Sequence, residues 1–124
     1  MKVARGTYQL AQYLAAEDAL ASAQEAEAVA VDVTHPDSVR AMVEHASKRF
    51  GRIDVLVNAG ASTARGTIVD TTPETFDELF STNVRGPYFL MQEAIKVMIA
   101  KGIEGAICNI GSISALAGQP FINA

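Results

Sequence analysis

The sequence predicts an α/β fold in which a parallel sheet lies between two helical layers, and three observations carry that prediction. Apolar residues alternate between short unbroken runs and helical spacing along most of the chain, the pattern of successive β-α units. The short runs "EAVAVDV" (27–33), "IDVLVN" (53–58) and "GAICNI" (105–110) are apolar at nearly every position, as parallel strands buried on both faces should be. Each run finishes in small or polar residues, Asp32-Val33, Asn58-Ala59-Gly60 and Gly111-Ser112, on the edge where open α/β sheets bind ligands.

Taken in order, "KVA" (2–4) is read as a short first strand and residues 5–28 as an alanine-rich helix, with a thin apolar face beyond Leu10, Tyr13, Leu14 and Leu20. The strand at 27–33 follows. "PDSVRAMVEHASKRFG" then starts a helix with Pro36 at its first position, aligns Val39, Met42, Val43, Ala46 and Phe50 on one face, and stops at Gly51. After the 53–58 strand, "TTPETFDELFSTNVRGPYFLMQEAIKVMIAKG" opens a long helix with a Thr71-to-Glu74 capping box. Its apolar face runs through Phe76, Phe80, Leu90, Ala94, Ile95 and Met98, and Gly86-Pro87 should kink it. The 105–110 strand closes the series.

Composition narrows the function. At 124 residues, 49% hydrophobic and 19% charged, the chain suits one packed domain over 1–124, although a doubly wound domain usually needs more residues. A net charge of −4 with scattered basic residues offers no surface to track a phosphate backbone, so nucleic acid is not an expected partner. One cysteine, Cys108, excludes an intrachain disulfide framework, fits a reducing compartment and reads as a small core residue. No apolar run approaches the roughly 20 residues of a membrane span, and "MKVARGTYQL" has no signal-peptide core. A cytoplasmic protein is expected, with no membrane partner. His35 and His45 read as surface histidines, and no metal site is expected.

At this point the residues carry a resemblance. "DVTHPDSVRAMVEHASKRFGRIDVLVNAG", "FSTNVRGPYFLMQ" and "GAICNIGSISALAGQPFINA" resemble, in order and spacing, the middle of a short-chain dehydrogenase/reductase over roughly 29–124. The resemblance implies a Rossmann-like three-layer α/β/α fold, truncated or contracted, and an NAD- or NADP-dependent oxidoreductase acting on a small-molecule alcohol/carbonyl pair. Each matching position also has a chemical reason. Asp32 can accept the exocyclic N–H of an adenine while Val33 packs against the ring. Ala59 and Gly60, lacking bulky side chains, let a cofactor ribose approach the backbone, and Asn58 can bridge neighbouring strands. Asn83 breaks a local rule by standing mid-helix, and the resemblance makes it the Asn that interrupts this helix and anchors a water in a proton relay. Ser112 matches the serine that hydrogen-bonds the substrate oxygen as hydride moves, with Ser114 its nearest competitor.

Three family features are missing or reduced between Met1 and Ala124. The resemblance implies a tyrosine about thirteen residues past the serine and a lysine four further on, which would fall just after Ala124. Tyr8, Tyr13 and Tyr88 have no lysine four positions onward. The glycine-rich phosphate loop is reduced to Gly6, and the strand that selects NAD or NADP has no counterpart. Either "KVA" pairs directly with "AVAVDV" in a contracted sheet, or the latter lacks its neighbour. The expectation is an oxidoreductase by descent, inactive as this chain, with weak or absent NAD or NADP binding. The alternatives are a non-catalytic module that binds nucleotide weakly or self-associates through the 73–101 helix, and a fragment that does not fold alone.

Overall fold

Pro36 starts the first described helix because its fixed φ suits a helical N-terminus and its missing N–H is not needed there. In the computed structural model, which describes residues 7–9 and 27–117, α1 runs Pro36–Phe50 with Asp37 in its first turn and Lys48 and Arg49 in its last, complementing the helix dipole. It ends at Gly51, whose φ of 79° is the left-handed conformation that glycine adopts without steric cost. Val39 and Val43, four residues apart, are its buried residues. Val39 meets β2 (Ala30–Asp32): Val31, Val33 and Val39 form the core cluster, with Met42 and Leu90 packed against it.

A parallel pair, β3 (Val55–Asn58) and β4 (Ala106–Asn109), holds register from Val55 opposite Ala106 to Asn58 opposite Asn109. The long helix between them is continuous from Pro73 to Ala100 in three parts: α2 (Pro73–Phe80), a π-helical turn (Ser81–Arg85) and α3 (Gly86–Ala100). Helices α1 and α3 pack side by side, and α3 also reaches β3. Among the described residues no helix is long and apolar enough to cross a membrane.

Several sequence expectations are corrected. Residues 7–9, expected to be helical, form strand β1 (Thr7–Gln9), which pairs antiparallel with β2. Thr7 and Tyr8 suit an extended ladder, and antiparallel pairing needs no crossover helix between the partners. "KVA" and residues 10–26 lie outside the described residues, as do 118–124. The strands therefore make two separate pairs, β1-β2 and β3-β4, and not one run of parallel neighbours. The capping residue is Thr72, one position later than expected, because Pro73 takes the first helical position; its hydroxyl accepts from the Thr75 N–H at 3.3 Å. Gly86-Pro87 does not break the helix. Instead the turn just before it widens, with Gly86 N–H bonding back to Ser81, since Pro87 has no N–H for the carbonyl of Asn83 four residues earlier.

The apolar faces are also less buried than their spacing implies. Phe50, Phe76, Phe80 and Ile95 are exposed, while Leu79, Ala94 and Met98 go inside. Along the parallel pair, half-buried Leu56 and Ile107 share one face, whereas Val55 (60% exposed), Val57 (54%) and Cys108 share the other. Cys108 is thus a surface residue, because none of the described elements covers that face.

One glycine fixes how the helix meets the strand. A Cβ on Gly86 would stand 2.9 Å from the Val33 carbonyl oxygen and 3.0 Å from its Cβ, so only glycine lets α3 approach the end of β2 this closely. Gly86→Ala is expected to destabilise the fold by about 1–3 kcal/mol, the usual range for overpacking. Gly111→Ala, where a Cβ meets nothing within 4 Å, serves as the control, and chemical denaturation midpoints distinguish the two.

Candidate functional site

Asp32 ends β2 and begins a turn closed by the His35 N–H on its carbonyl at 3.2 Å. Its own N–H donates to Ser38 Oγ at 3.0 Å, which ties the strand end to α1. The carboxylate is held from two sides. Oδ1 accepts from the Thr34 N–H at 2.9 Å and the Thr34 hydroxyl at 2.7 Å, and Oδ2 faces His35 Nδ1 at 3.1 Å. The Thr34 hydroxyl, followed by its N–H and by His35, outweighs burial and lowers the Asp32 pKa below the ordinary carboxylate value. The side chain remains 42% exposed, so the carboxylate is an accessible anion. Next to it, the Val33 side chain is buried in the core cluster against Gly86.

A depressed carboxylate pKa has a definite pH consequence. Folding gains from ionised Asp32 above its unfolded value near about 3.9, and the gain disappears as pH falls through the lower folded value. Exposure keeps the effect small. Acid titration of Asp32→Asn beside the parent chain is expected to show the parent's advantage disappearing only below about pH 4.

Asn58 and Asn109 stand opposite each other at the ends of β3 and β4. Asn58 Nδ2 donates to Asn109 Oδ1 at 2.7 Å, and the Ile110 N–H donates to the Asn58 carbonyl at 2.9 Å. These bonds fasten the two strand ends where the chains diverge. Ala59 and Gly60 follow, half-buried and small, and lead to Ser62. There Asn83 makes a reciprocal clamp: its Oδ1 accepts from the Ser62 N–H at 2.8 Å and its Nδ2 donates to the Ser62 carbonyl at 2.9 Å. Asn83 sits at the centre of the π-helical turn, three residues before the Gly86 contact with Val33. Ser112 lies two residues beyond Ile110, exposed, and caps a short 3₁₀ turn (Ile113–Ala115) by accepting from the Ser114 N–H at 3.2 Å. Its hydroxyl proton is left to donate. Ser114 contributes backbone to that cap.

The structure therefore joins the expected residues through direct contacts. Asn58 is bonded to the strand that leads to Ser112, the loop after Gly60 is bonded to Asn83, and the helix carrying Asn83 rests on the residue after Asp32. The resulting edge offers an anionic acceptor at Asp32, small residues at Ala59 and Gly60, and a hydroxyl donor at Ser112. Asn109, Ser62, Thr34 and His35 were missed as parts of it. The signal for Asn109 was present, since two parallel strands in one register both end in Asn. Among the described residues no group of His, Cys, Asp and Glu is arranged to hold a metal ion.

A family profile described as Enoyl-(Acyl carrier protein) reductase matches residues 3–124. The short-chain type dehydrogenase/reductase from Mycobacterium marinum superposes with a TM-score of 0.71 at 29% identity, covering 75% of this chain and 38% of that one. The chain belongs to the short-chain dehydrogenase/reductase family. Sorbitol dehydrogenase of Cereibacter sphaeroides is 39% identical over 95 residues, 77% of this chain and 37% of that enzyme. An NAD⁺-bound xylitol dehydrogenase matches with a TM-score of 0.68 and 27% identity, covering 74% of this chain and 35% of that one. The chain thus spans well under half the length of these short-chain dehydrogenase/reductase relatives. A Rossmann-type fold and a nucleotide cofactor are properties of the family.

Proposed function

We propose that this chain supplies the cofactor edge and the substrate-oxygen donor of an NAD- or NADP-dependent oxidoreductase acting on a small alcohol or carbonyl compound. The observation that carries the reading is the Asn83 clamp on Ser62 together with the Asn58–Asn109 bond. These fix the loop after Gly60 beside the strand end that presents Ser112. Asp32 accepts the exocyclic amine of adenine. Ala59 and Gly60 leave room for a ribose, and Asn58 holds that stretch of backbone in place. Val33, with its side chain in the core, offers the adenine backbone and little of the apolar wall expected from sequence. Ser112 donates its hydroxyl proton to the substrate oxygen and stabilises negative charge there. Asn83 acts through its fixed position, since both ends of its amide are engaged by Ser62. The nicotinamide ring, when bound, supplies or takes the hydride.

Calorimetric titration of the chain with NAD and NADP tests this reading. Gly6 is the one glycine of the given sequence before Gly51, so affinity of this chain is expected no tighter than roughly millimolar, about −4 kcal/mol, and Asp32→Ala is expected to abolish it. Micromolar affinity indifferent to Asp32→Ala would contradict the assignment of the adenine site.

A second reading, self-association, rests on a different observation. Phe80, Val84, Tyr88 and Phe89 line a groove of about 520 Å³ along the long helix, together with Asp77 and Arg85. Phe80, Val84 and Tyr88 are exposed. That apolar surface favours contact with another copy of the chain.

A further inference from the structure

His35 is a chemically specific neighbour for Asp32 that the reading above does not use. The turn hydrogen bond from the His35 N–H to the Asp32 carbonyl folds its side chain back beside the carboxylate. Nδ1 then lies 3.1 Å from Asp32 Oδ2 and 3.0 Å from Thr34 Oγ1. Both neighbours are acceptors in this arrangement. The Thr34 hydroxyl has already given its one proton to Asp32 Oδ1, and an ionised carboxylate has none to give. Nδ1 must therefore carry a proton and donate it.

The consequence lies in the remaining lone pairs. An ionised carboxylate has about four acceptor positions. The Thr34 N–H and hydroxyl take both positions of Oδ1, and His35 takes one of Oδ2. Among the described residues nothing takes the remaining acceptor position, which belongs to a carboxylate held from both sides that still meets solvent. A fixed acceptor discriminates between a ligand donor and a ligand acceptor, because a mismatched group turns its own lone pair on the carboxylate and is repelled. A carboxylate free to turn could admit a bridging water and tolerate either.

We propose that His35 is a positioning residue for purine selection: by pinning Oδ2 it leaves Asp32 a single open acceptor that takes a 6-amino purine and rejects a 6-oxo purine. This rests on the assignment of Asp32 to the adenine. Titration of the chain with AMP and with IMP, followed by the amide resonances of residues 32–35, separates the two claims. AMP is expected to bind about tenfold more tightly than IMP. In His35→Ala the ratio is expected to fall to about twofold, and in His35→Asn, whose amide N–H can still reach Oδ2, to return close to the parent value. A purely structural role for His35 would weaken both nucleotides alike and leave the ratio unchanged. An unchanged ratio in His35→Ala overturns the role of His35 while sparing the adenine site. Equal binding of AMP and IMP by the parent chain, or binding of neither, overturns both.

Discussion

Assayed alone with NAD(H) or NADP(H) and any alcohol or ketone, the chain of residues 1–124 is expected to give no detectable turnover. In the role proposed for it, Ser112 would orient and polarise a substrate oxygen, but hydride transfer to or from a carbonyl carbon also moves a proton at that oxygen. A positioned proton donor contributes typically about 10²–10⁴ in rate. The three tyrosines of the sequence, Tyr8, Tyr13 and Tyr88, have no lysine four residues onward. Tyr88 is exposed and lines the groove with Phe80, Val84 and Phe89. Loose cofactor binding adds a second loss, because reacting atoms that are not held in place forgo the rate gained from proximity. The two losses compound. Turnover measured with the purified chain and removed by Ser112→Ala would contradict this account.

The second large effect concerns association. A parallel pair is stable when both faces are covered, and here Val55, Val57 and Cys108 leave one face open. Ile110, 61% exposed, extends the apolar surface past the end of β4. The groove at Phe80 and Tyr88 is a second such surface. Two apolar surfaces on so small a chain favour self-association, or a loosely packed state with a broad unfolding transition. Sedimentation is expected to show species larger than the monomer. Val57→Lys together with Tyr88→Lys is expected to shift the distribution towards monomer, since charge on each surface opposes its burial. A monodisperse parent monomer that unfolds in one sharp transition would contradict the expectation.

How far the sequence revealed the fold depended on whether a feature was local. Pro36, the Val39/Val43 spacing and Gly51 together determine α1, because start, buried face and stop all lie within one helix. The β-branched runs located β2, β3 and β4 for the same reason. Burial was less legible. Phe76 and Phe80 have core-like spacing, yet they stack on each other at 4.3 Å on the surface, and periodicity cannot say which apolar face finds a partner. The antiparallel β1-β2 pairing was likewise hidden, since a three-residue strand gives almost no periodic signal.

The site was legible in its residues and illegible in its wiring. Asp32, Asn58, Asn83 and Ser112 stood out because each is polar at a strand end or in a helix interior. The bond from Asn58 to Asn109 depends on register across fifty-one residues of sequence separation, which no local pattern encodes. The π-helical turn could have been read more closely. Pro87 lies four residues after Asn83, so the Asn83 carbonyl has no N–H there to accept, and the disturbance had to appear upstream of Gly86.

Asp32, the Asn58–Gly60 loop and the Asn83 clamp are proposed to form one nucleotide-binding edge leading to Ser112. Titration of the ¹⁵N-labelled chain with NAD, read amide by amide, tests it most directly. The account expects saturable shifts in residues 32–34, 58–62, 83 and 109–112, all with one dissociation constant, and their loss in Asp32→Ala. Shifts confined to the groove between Asp77 and Phe89, or shifts at the strand ends that persist unchanged in Asp32→Ala, would contradict it.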